Sequence, residues 1–399
     1  MAIRRPLVPT SSPSLSDLVR SIEERTAGAV ERSKKVNGSV MLVTPDGSCV
    51  IEIDRGVASV SRDRAGAEAT ITSDLPTLMA LVSQAESGIE AFLQGRLKVR
   101  GNLALALQLG SLFDTGDRPA GFFRPGWTKA MGIESFYIEA GEGTPVVLLH
   151  GLGATNASFL PTIAGLGPRY RVIAPDFPGF GESGKPIRKY HAAFYARWLR
   201  EFLGNMGIER AWLVGNSMGG RVAIEMALRF PEMVDGIIGL CPAPAFIRGR
   251  AYVPFVKWLP PELAYLPLPV LGHRQLVRGV RSMFSRPQRL PDAWYDAAAD
   301  EFLRVFRTPR GRICFFSASR QIYLEEPFGE KGFWDRLPSL DVPALFVWGE
   351  RDRLVPASFA RHVSKALPGS RSVVLADCGH IPQFEQPETT NELIIDFIR

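Results

Sequence analysis

Apolar runs of strand length alternate with helical stretches over the second two-thirds of the chain. Six runs have this length: residues 145–149, 171–175, 211–214, 236–240, 344–348 and 372–376. They are continuous rather than alternating, which is typical of parallel strands buried on both faces. Helical stretches such as residues 191–206 and 218–230 lie between several of them. From about residue 126 onward, the pattern predicts a doubly wound α/β fold on a mostly parallel sheet.

A different pattern occupies the first 122 residues, where short strand-like segments come first and helical segments follow. The strand-like segments are residues 38–44, 48–54, 57–61, 69–73 and 97–100. The helical segments are residues 75–83, 88–93 and 103–113. Asn102 can cap the last helix, and residues 114–125 have the composition of a linker. We therefore expect a small α+β domain over residues 1–122 and the α/β domain over residues 123–399.

An insertion at about residues 242–338 interrupts the alternation of the second domain. The chain has 399 residues, 46% hydrophobic and 22% charged, which excludes a disordered or coiled-coil protein. Its net charge is +6, and residues 243–310 alone carry 11 basic and 5 acidic side chains, so the whole excess lies in the insertion. Aromatic residues are mixed with these cations, which suits peripheral contact with an anionic membrane. Alternatively, the aromatic side chains line a substrate pocket and the arginines face water.

A sharp turn between a strand and a helix is predicted at residues 215–219 (GNSMG). This Gly-x-Ser-x-Gly sequence follows the strand at 211–214 and opens the helix at 218–230, the setting of a nucleophile elbow. Strand and helix nearly touch in such a turn, which leaves room only for glycine at positions 215 and 219. The turn projects the hydroxyl of Ser217 above the sheet, so Ser217 is the candidate nucleophile.

His380 and Asp352 are the residues expected to activate this serine. A serine hydroxyl needs a base at neutral pH, and His380 follows the last predicted strand, on the same sheet edge as the turn. The base in turn needs a carboxylate that orients it. Asp352 lies in the segment that directly follows the strand at 344–348, and Glu350 is its rival two positions earlier. Because His380 must be neutral to accept a proton, activity should decline at acidic pH.

The order Ser217, Asp352, His380 resembles that of the alpha/beta-hydrolase family, over about residues 127–399. Residues 176–183 (DFPGFGES) also resemble a loop of this family. The resemblance implies a serine-hydrolase site, with the insertion in the position of the family's helical cap.

A second loop, residues 150–153 (HGLG), follows the strand at 145–149, where the family places part of its oxyanion hole. The resemblance implies that the backbone N–H groups of Leu152 and Met218 hold the oxyanion. His150 is interpreted as a structural histidine.

The first domain resembles a sterol carrier protein type two domain over about residues 20–115. The specific part is the string at residues 89–109 (IEAFLQGRLKVRGNLALALQL), which follows residues 67–74 (AEATITSD). The resemblance implies a small twisted sheet covered by helices, with an apolar tunnel for a lipid or acyl chain. Alternatively, Phe92, Leu97, Val99 and Leu107 are simply core residues.

These observations predict a serine hydrolase of esterase or lipase type that cleaves lipophilic carboxylic esters through an acyl-enzyme. Carbon–carbon bond hydrolases and perhydrolases that use the same triad remain alternatives. Epoxide hydrolases and haloalkane dehalogenases are set aside because they need a carboxylate where this chain has Ser217. A further alternative is a lipid carrier whose hydrolase domain is secondary.

Other classes find no support in the sequence. The four cysteines lack Cys-x-x-Cys spacing, so neither a zinc ribbon nor a disulfide framework is expected. The N-terminal residues lack the apolar stretch of a secretory signal, and no run of 18 apolar residues is long enough to span a bilayer. We expect a cytoplasmic protein with no cofactor, no metal and no nucleic-acid partner.

Overall fold

The computed structural model describes residues 13–26, 35–62, 66–113, 123–245 and 272–399. The chain divides into two units, residues 1–118 and 119–399. Each unit contains its own sheet, one of five strands and one of eight.

The first unit is an α+β fold, as the sequence predicts. Its strands are β1 (Gly38–Thr44), β2 (Gly47–Asp54), β3 (Val57–Ser61), β4 (Ala69–Thr72) and β5 (Lys98–Gly101). Its helices are α1 (Leu15–Thr26), α2 (Leu75–Val82), α3 (Gly88–Leu93) and α4 (Leu103–Leu112). The strand order is β3-β2-β1-β4-β5, in which β1 and β4 are parallel and the other pairs antiparallel.

The ends of these helices show how the local sequence determines them. Asn102 Oδ1 accepts the backbone N–H of Leu105 at 3.0 Å, which confirms the predicted cap of α4. Asp74 caps α2 in the same way, through the backbone N–H of Thr77 at 2.7 Å. Helix α1 was not predicted from the sequence, although it buries Leu18 and other apolar residues on one face.

The second unit is built on the predicted, mostly parallel sheet. Its strands are β6 (Phe123–Ala130), β7 (Ile133–Ala140), β8 (Pro145–Leu149), β9 (Arg171–Pro175), β10 (Ala211–Asn216), β11 (Val234–Leu240), β12 (Ala344–Gly349) and β13 (Arg371–Leu375). The strand order is β13-β12-β11-β10-β8-β9-β7-β6, parallel from β13 to β9. The carboxyl ends of six strands therefore share one edge, where ligand sites of such sheets lie.

Helices of the second unit pack around this sheet. Within the described residues they are α5 (Leu160–Leu166), α6 (Ala192–Asn205), α7 (Met218–Arg229), α8 (His273–Arg281), α9 (Asp292–Phe306), α10 (Pro309–Leu324), α11 (Phe333–Arg336), α12 (Phe359–Ala366), α13 (Pro382–Glu385) and α14 (Pro387–Ile398). Helices α8 to α11 lie between β11 and β12, where the sequence predicts the insertion.

The predicted linker at residues 114–125 extends too far. Its last three residues belong to β6, which pairs antiparallel with β7 as a hairpin. Met131 (φ 51°) and Gly132 (φ 76°) form the turn, and two consecutive positive φ angles match the twist of a two-residue hairpin. Pro125 is tolerated because β6 is the edge strand of the sheet.

Candidate active site

Ser217 lies in a strained turn between β10 and α7. Its backbone has φ 53° and ψ −114°, a region that non-glycine residues rarely occupy. A Cβ on residue 215 would overlap the backbone of Gly219 in α7, and one on residue 219 would overlap the backbone of Leu149 in β8, so both positions require glycine. The side chain of Ser217 is partly exposed, whereas Asn216 and Met218 on either side are buried. The sharp strand–turn–helix junction expected from the sequence is present.

Asp352 and His380 form a buried, hydrogen-bonded pair. His380 Nδ1 lies 2.7 Å from Asp352 Oδ2. The other carboxylate oxygen, Oδ1, accepts the backbone N–H groups of Leu354 and Val355 at 2.7 and 2.9 Å. Because a carboxylate only accepts, Nδ1 is the donor, and Nε2 of the neutral ring keeps its lone pair. The structure thus brings these two predicted residues together.

The rival carboxylate, Glu350, lies elsewhere. Its Oε2 accepts the backbone N–H of Asp377 at 3.1 Å and lies 4.0 Å from the Arg351 guanidinium. The Glu350 side chain is 55% exposed. This carboxylate is therefore a surface group, and Asp352 already occupies Nδ1 of His380.

The side chain of Asn216 ties the loop of His380 to the turn that holds Ser217. Its Nδ2 donates to the carbonyl oxygens of His380 and Leu240, each at 3.0 Å. Among the described residues, the Ser217 hydroxyl makes no hydrogen bond, and none joins it to His380. The second position of the Gly-x-Ser-x-Gly sequence therefore holds the loop of His380, a contact that sequence reasoning missed.

The loop at residues 150–153 lies against Ser217. A Cβ built on Gly151 would be 3.5 Å from the Cβ of Ser217. The N–H groups of Leu152 and Met218 donate no hydrogen bond to any residue that the structure describes. Met218 is the first residue of α7, where an N–H has no acceptor within the helix. Within the described residues, both predicted oxyanion donors thus lack an acceptor, one in the loop at residues 150–153 and the other at the first residue of α7.

His150 has a structural environment, as its sequence interpretation requires. The ring is fully buried, with Nδ1 at 2.8 Å from the carbonyl oxygen of Gly151 and Nε2 accepting the N–H of Phe177 at 3.0 Å. Burial lowers the pKa of His150 to about 4, so the ring is neutral at physiological pH. Both nitrogens are occupied, which leaves neither for proton transfer.

Asp176 organises the loop at residues 176–183. Its two carboxylate oxygens accept the backbone N–H groups of Asn156 and Glu182, each at 2.8 Å. Its carbonyl oxygen accepts the hydroxyl of Ser183 at 2.7 Å. Burial raises the pKa of Asp176 to about 7, and Glu301 contributes in the same direction. The motif therefore stabilises a loop rather than supplying a reacting group.

The insertion holds the His380 loop through backbone contacts. The N–H of His380 donates to the carbonyl oxygen of Met283 at 2.7 Å. Glu385 accepts the N–H groups of Ser285 and Arg286 on one oxygen and that of Gly379 on the other, at 2.7 to 2.9 Å. We call residues 283–286 together with Glu385 the His-loop clamp. Its partners are about 100 residues apart in sequence, so no local signal could have found it.

Cys241 is a further site neighbour that sequence reasoning missed. It directly follows β11 and is fully buried. Ligating atoms of Cys241, Asp352 and His380 lie within 4.8 Å of one another, the one group of this kind in the described part of the chain. These three residues are the candidates for holding a metal ion.

A groove of about 680 Å³ is lined along one side by α7, including its first residue, Met218, which follows the serine in sequence. Apolar side chains such as Val222 and Ile322 line part of it. A buried ion pair between Arg221 and Glu225, at 3.0 Å, lines another part. The volume lies in the range of ordinary small-molecule sites.

A mostly parallel sheet with the candidate site at the carboxyl ends of its strands defines the class of the protein, an α/β hydrolase. More particularly, residues 144–387 match the family described as the alpha/beta hydrolase fold, and the chain belongs to that family. Residues 19–114 match the SCP-2 sterol transfer family, so the first unit is an SCP2 domain. Both family resemblances seen in the sequence are confirmed.

The similar proteins are named as hydrolases of different substrates. A pimeloyl-[acyl-carrier protein] methyl ester esterase of Aeromonas hydrophila is 30% identical over 273 residues, which cover 67% of this chain and 99% of the esterase. A 2-hydroxy-6-oxo-6-phenylhexa-2,4-dienoate hydrolase of Comamonas testosteroni is 29% identical over 284 residues, covering 66% of this chain and 90% of that enzyme. A membrane phospholipase A of known crystal structure is 26% identical in sequence to this chain and superposes with a TM-score of 0.57. The match covers 70% of this chain and 86% of that one.

Proposed function

We propose that the second unit is a serine hydrolase that cleaves carboxylic esters of lipophilic substrates through an acyl-enzyme. The observation that carries the proposal is the buried Asp352–His380 pair, in which Asp352 occupies Nδ1 of the ring and Asn216 ties the His380 loop to the strained turn of Ser217. This arrangement supplies the base that a serine nucleophile needs.

The proposed reaction has two halves. Ser217 Oγ attacks the ester carbonyl while His380 Nε2 takes its proton, and the N–H groups of Leu152 and Met218 stabilise the oxyanion. His380 then protonates the leaving alcohol, and a water that it activates releases the acid. Losing one oxyanion donor typically costs about 2.7–4 kcal/mol of transition-state stabilisation.

Two observations support a lipophilic ester as the substrate. Apolar side chains of the groove along α7, among them Met218, Val222 and Ile322, offer contacts to an acyl chain. The esterase and the phospholipase A among the similar proteins are named for the cleavage of esters.

The alternative is cleavage of a carbon–carbon bond or perhydrolysis by the same residues, and the hexadienoate hydrolase relative favours the first of these. Aryl esters of increasing acyl length, a vinylogous diketone and an ester with hydrogen peroxide separate the three reactions. We expect ester hydrolysis to be fastest, with kcat/KM rising with chain length, and Ser217→Ala to be inactive. Full activity of Ser217→Ala on the ester panel would refute the proposal. Faster cleavage of the diketone than of any ester would favour carbon–carbon bond hydrolysis instead.

We propose further that the SCP2 domain binds an acyl lipid. The match of residues 19–114 to the SCP-2 sterol transfer family supports this. In the full-length Ser217→Ala variant, a fluorescent fatty acid should bind and be displaced by unlabelled lipid. Absence of binding would leave the domain as a scaffold, whereas binding without any esterase activity in the native chain would favour the lipid-carrier alternative.

Membrane contact and a cytoplasmic location stay predictions. The cations Arg248, Arg250 and Lys257 lie outside the described residues. Of the insertion's other arginines, Arg281 is paired with Asp292 and Arg286 with Asp377. No helix within the described ranges is long and apolar enough to cross a membrane.

A further inference from the structure

The thiol of Cys241 lies beside the Asp352–His380 pair, although ester hydrolysis makes no use of it. Its φ of 44° is unusual for a residue with a side chain. The sulfur accepts the N–H of Gly349 at 3.3 Å and lies 3.7 Å from the carbonyl oxygen of Gly379. Gly349 is the last residue of β12, directly before the loop of Asp352, and Gly379 precedes His380 in its loop. The strained backbone therefore holds the sulfur at the site.

Three different ligating groups meet at this point. One ligand atom from each of Cys241, Asp352 and His380 lies within 4.8 Å of the others, and all three side chains are buried. Sulfur, imidazole nitrogen and carboxylate oxygen form a set that suits Zn²⁺, which accepts three protein ligands with a fourth position open. We propose that these three residues bind one thiophilic divalent cation, such as Zn²⁺ or Cd²⁺, and that the bound cation inhibits the hydrolase.

Inhibition follows from what the cation would occupy. On binding, the thiol of Cys241 gives its proton to solvent, and the thiolate and the Asp352 carboxylate ligate the ion. The Nδ1 proton of His380 is transferred to Nε2 by exchange with water, and Nδ1, which lies 2.7 Å from Asp352 Oδ2, becomes the third ligand. His380 is then withdrawn from proton transfer, and Asp352 no longer orients it. The inhibition rests on the proposed serine-hydrolase function, whereas the binding of the cation does not.

Binding is tested on the full-length chain by titration with Cd²⁺, whose thiolate bond has an ultraviolet charge-transfer band. Cys378 provides the matched control, because it is buried in the loop of His380 but does not belong to the three-residue group. We expect one Cd²⁺ per chain with the band in the wild type and in Cys378→Ser, and no band in Cys241→Ser. A band that survives Cys241→Ser overturns the proposal.

Inhibition is measured separately, as the Zn²⁺ concentration that halves ester hydrolysis. Loss of an outer-shell partner typically weakens metal binding about 10- to 100-fold, so loss of a ligand in Cys241→Ser should raise this concentration at least about tenfold. An unchanged concentration overturns the inhibitory role. A wild type that binds Cd²⁺ with the band but hydrolyses no ester would contradict the proposed function and leave the metal site standing.

X-ray absorption on the zinc-loaded wild type tests the site even where Cys241→Ser does not fold. We expect one sulfur at about 2.3 Å and nitrogen or oxygen ligands at about 2.0–2.2 Å. A first shell of nitrogen and oxygen alone would mean an adventitious ion only, which contradicts the proposal.

Discussion

Asp352 uses one carboxylate oxygen for two backbone N–H groups and the other for His380. Asp352→Asn would preserve the shape but can present an amide N–H₂ to the imidazole, which favours the wrong tautomer. We predict a fall in kcat of about 10⁴-fold, the size of this effect in serine-protease triads. Steady-state kinetics on a short-chain ester measures it.

Glu350→Gln is the control for that variant, because Glu350 is two positions away and exposed. It should keep wild-type kcat. The assignment of the acid would be wrong if Glu350→Gln lost activity and Asp352→Asn did not.

His150 gives a pH dependence of stability whose sign follows from burial. Its pKa is about 4 in the folded chain against 6.5 for an ordinary histidine, so the unfolded chain takes up a proton first as the pH falls. The stability that neutral His150 contributes is complete above pH 6.5 and is lost as the pH falls toward 4, by at most about 3 kcal/mol.

The raised pKa of Asp176 acts in the opposite direction over part of this range, so the wild type must be compared with a variant. In His150→Gln the amide can still donate and accept, but it does not titrate. Urea unfolding should show that the advantage of the wild type over His150→Gln shrinks on acidification from pH 7 to pH 4. A constant difference would contradict the neutral, buried ring.

At the scale of elements, the His-loop clamp joins the insertion to the end of the sheet. Glu385→Gln removes the charge from a carboxylate that accepts three backbone N–H groups. Hydrogen bonds to charged groups contribute about 1.5–3 kcal/mol, so we expect a loss of stability of that order.

Because the clamp positions His380, Glu385→Gln should also lower kcat more than it changes KM. Glu388→Gln, an exposed change in α14, is the matched control. Equal effects of the two changes on kcat would show that the clamp does not position the base.

Ser217, Asp352 and His380 lie, as the sequence predicts, in the connections that follow β10, β12 and β13, and parallel strands bring their carboxyl ends to one edge. Sequence reasoning missed Cys241 and the clamp, whose contacts depend on tertiary packing between distant segments. It also missed the β6–β7 hairpin, because Pro125 and its neighbours have the composition of a linker. An edge strand tolerates such residues, since one side of it pairs with no other strand.

At the scale of the whole molecule, an SCP2 domain precedes an α/β hydrolase. If the first domain supplies lipid esters to the second, deletion of residues 1–122 should reduce kcat/KM for long-chain esters more than for short ones. The physical reason is that short esters dissolve in water and reach the site by diffusion. Long-chain esters dissolve poorly as monomers and therefore depend on a carrier. Equal losses across the chain-length series would count against supply by the SCP2 domain.

The central claim is that Ser217 is a nucleophile activated by His380. Reaction of the full-length protein with a fluorophosphonate, followed by peptide mass spectrometry, tests it most directly. We predict one phosphonate adduct, on Ser217, formed quickly in the wild type, slowly in Asp352→Asn and not at all in Ser217→Ala. An unlabelled Ser217 in a protein that still hydrolyses esters, or equal labelling of Ser217→Ala, would contradict the account.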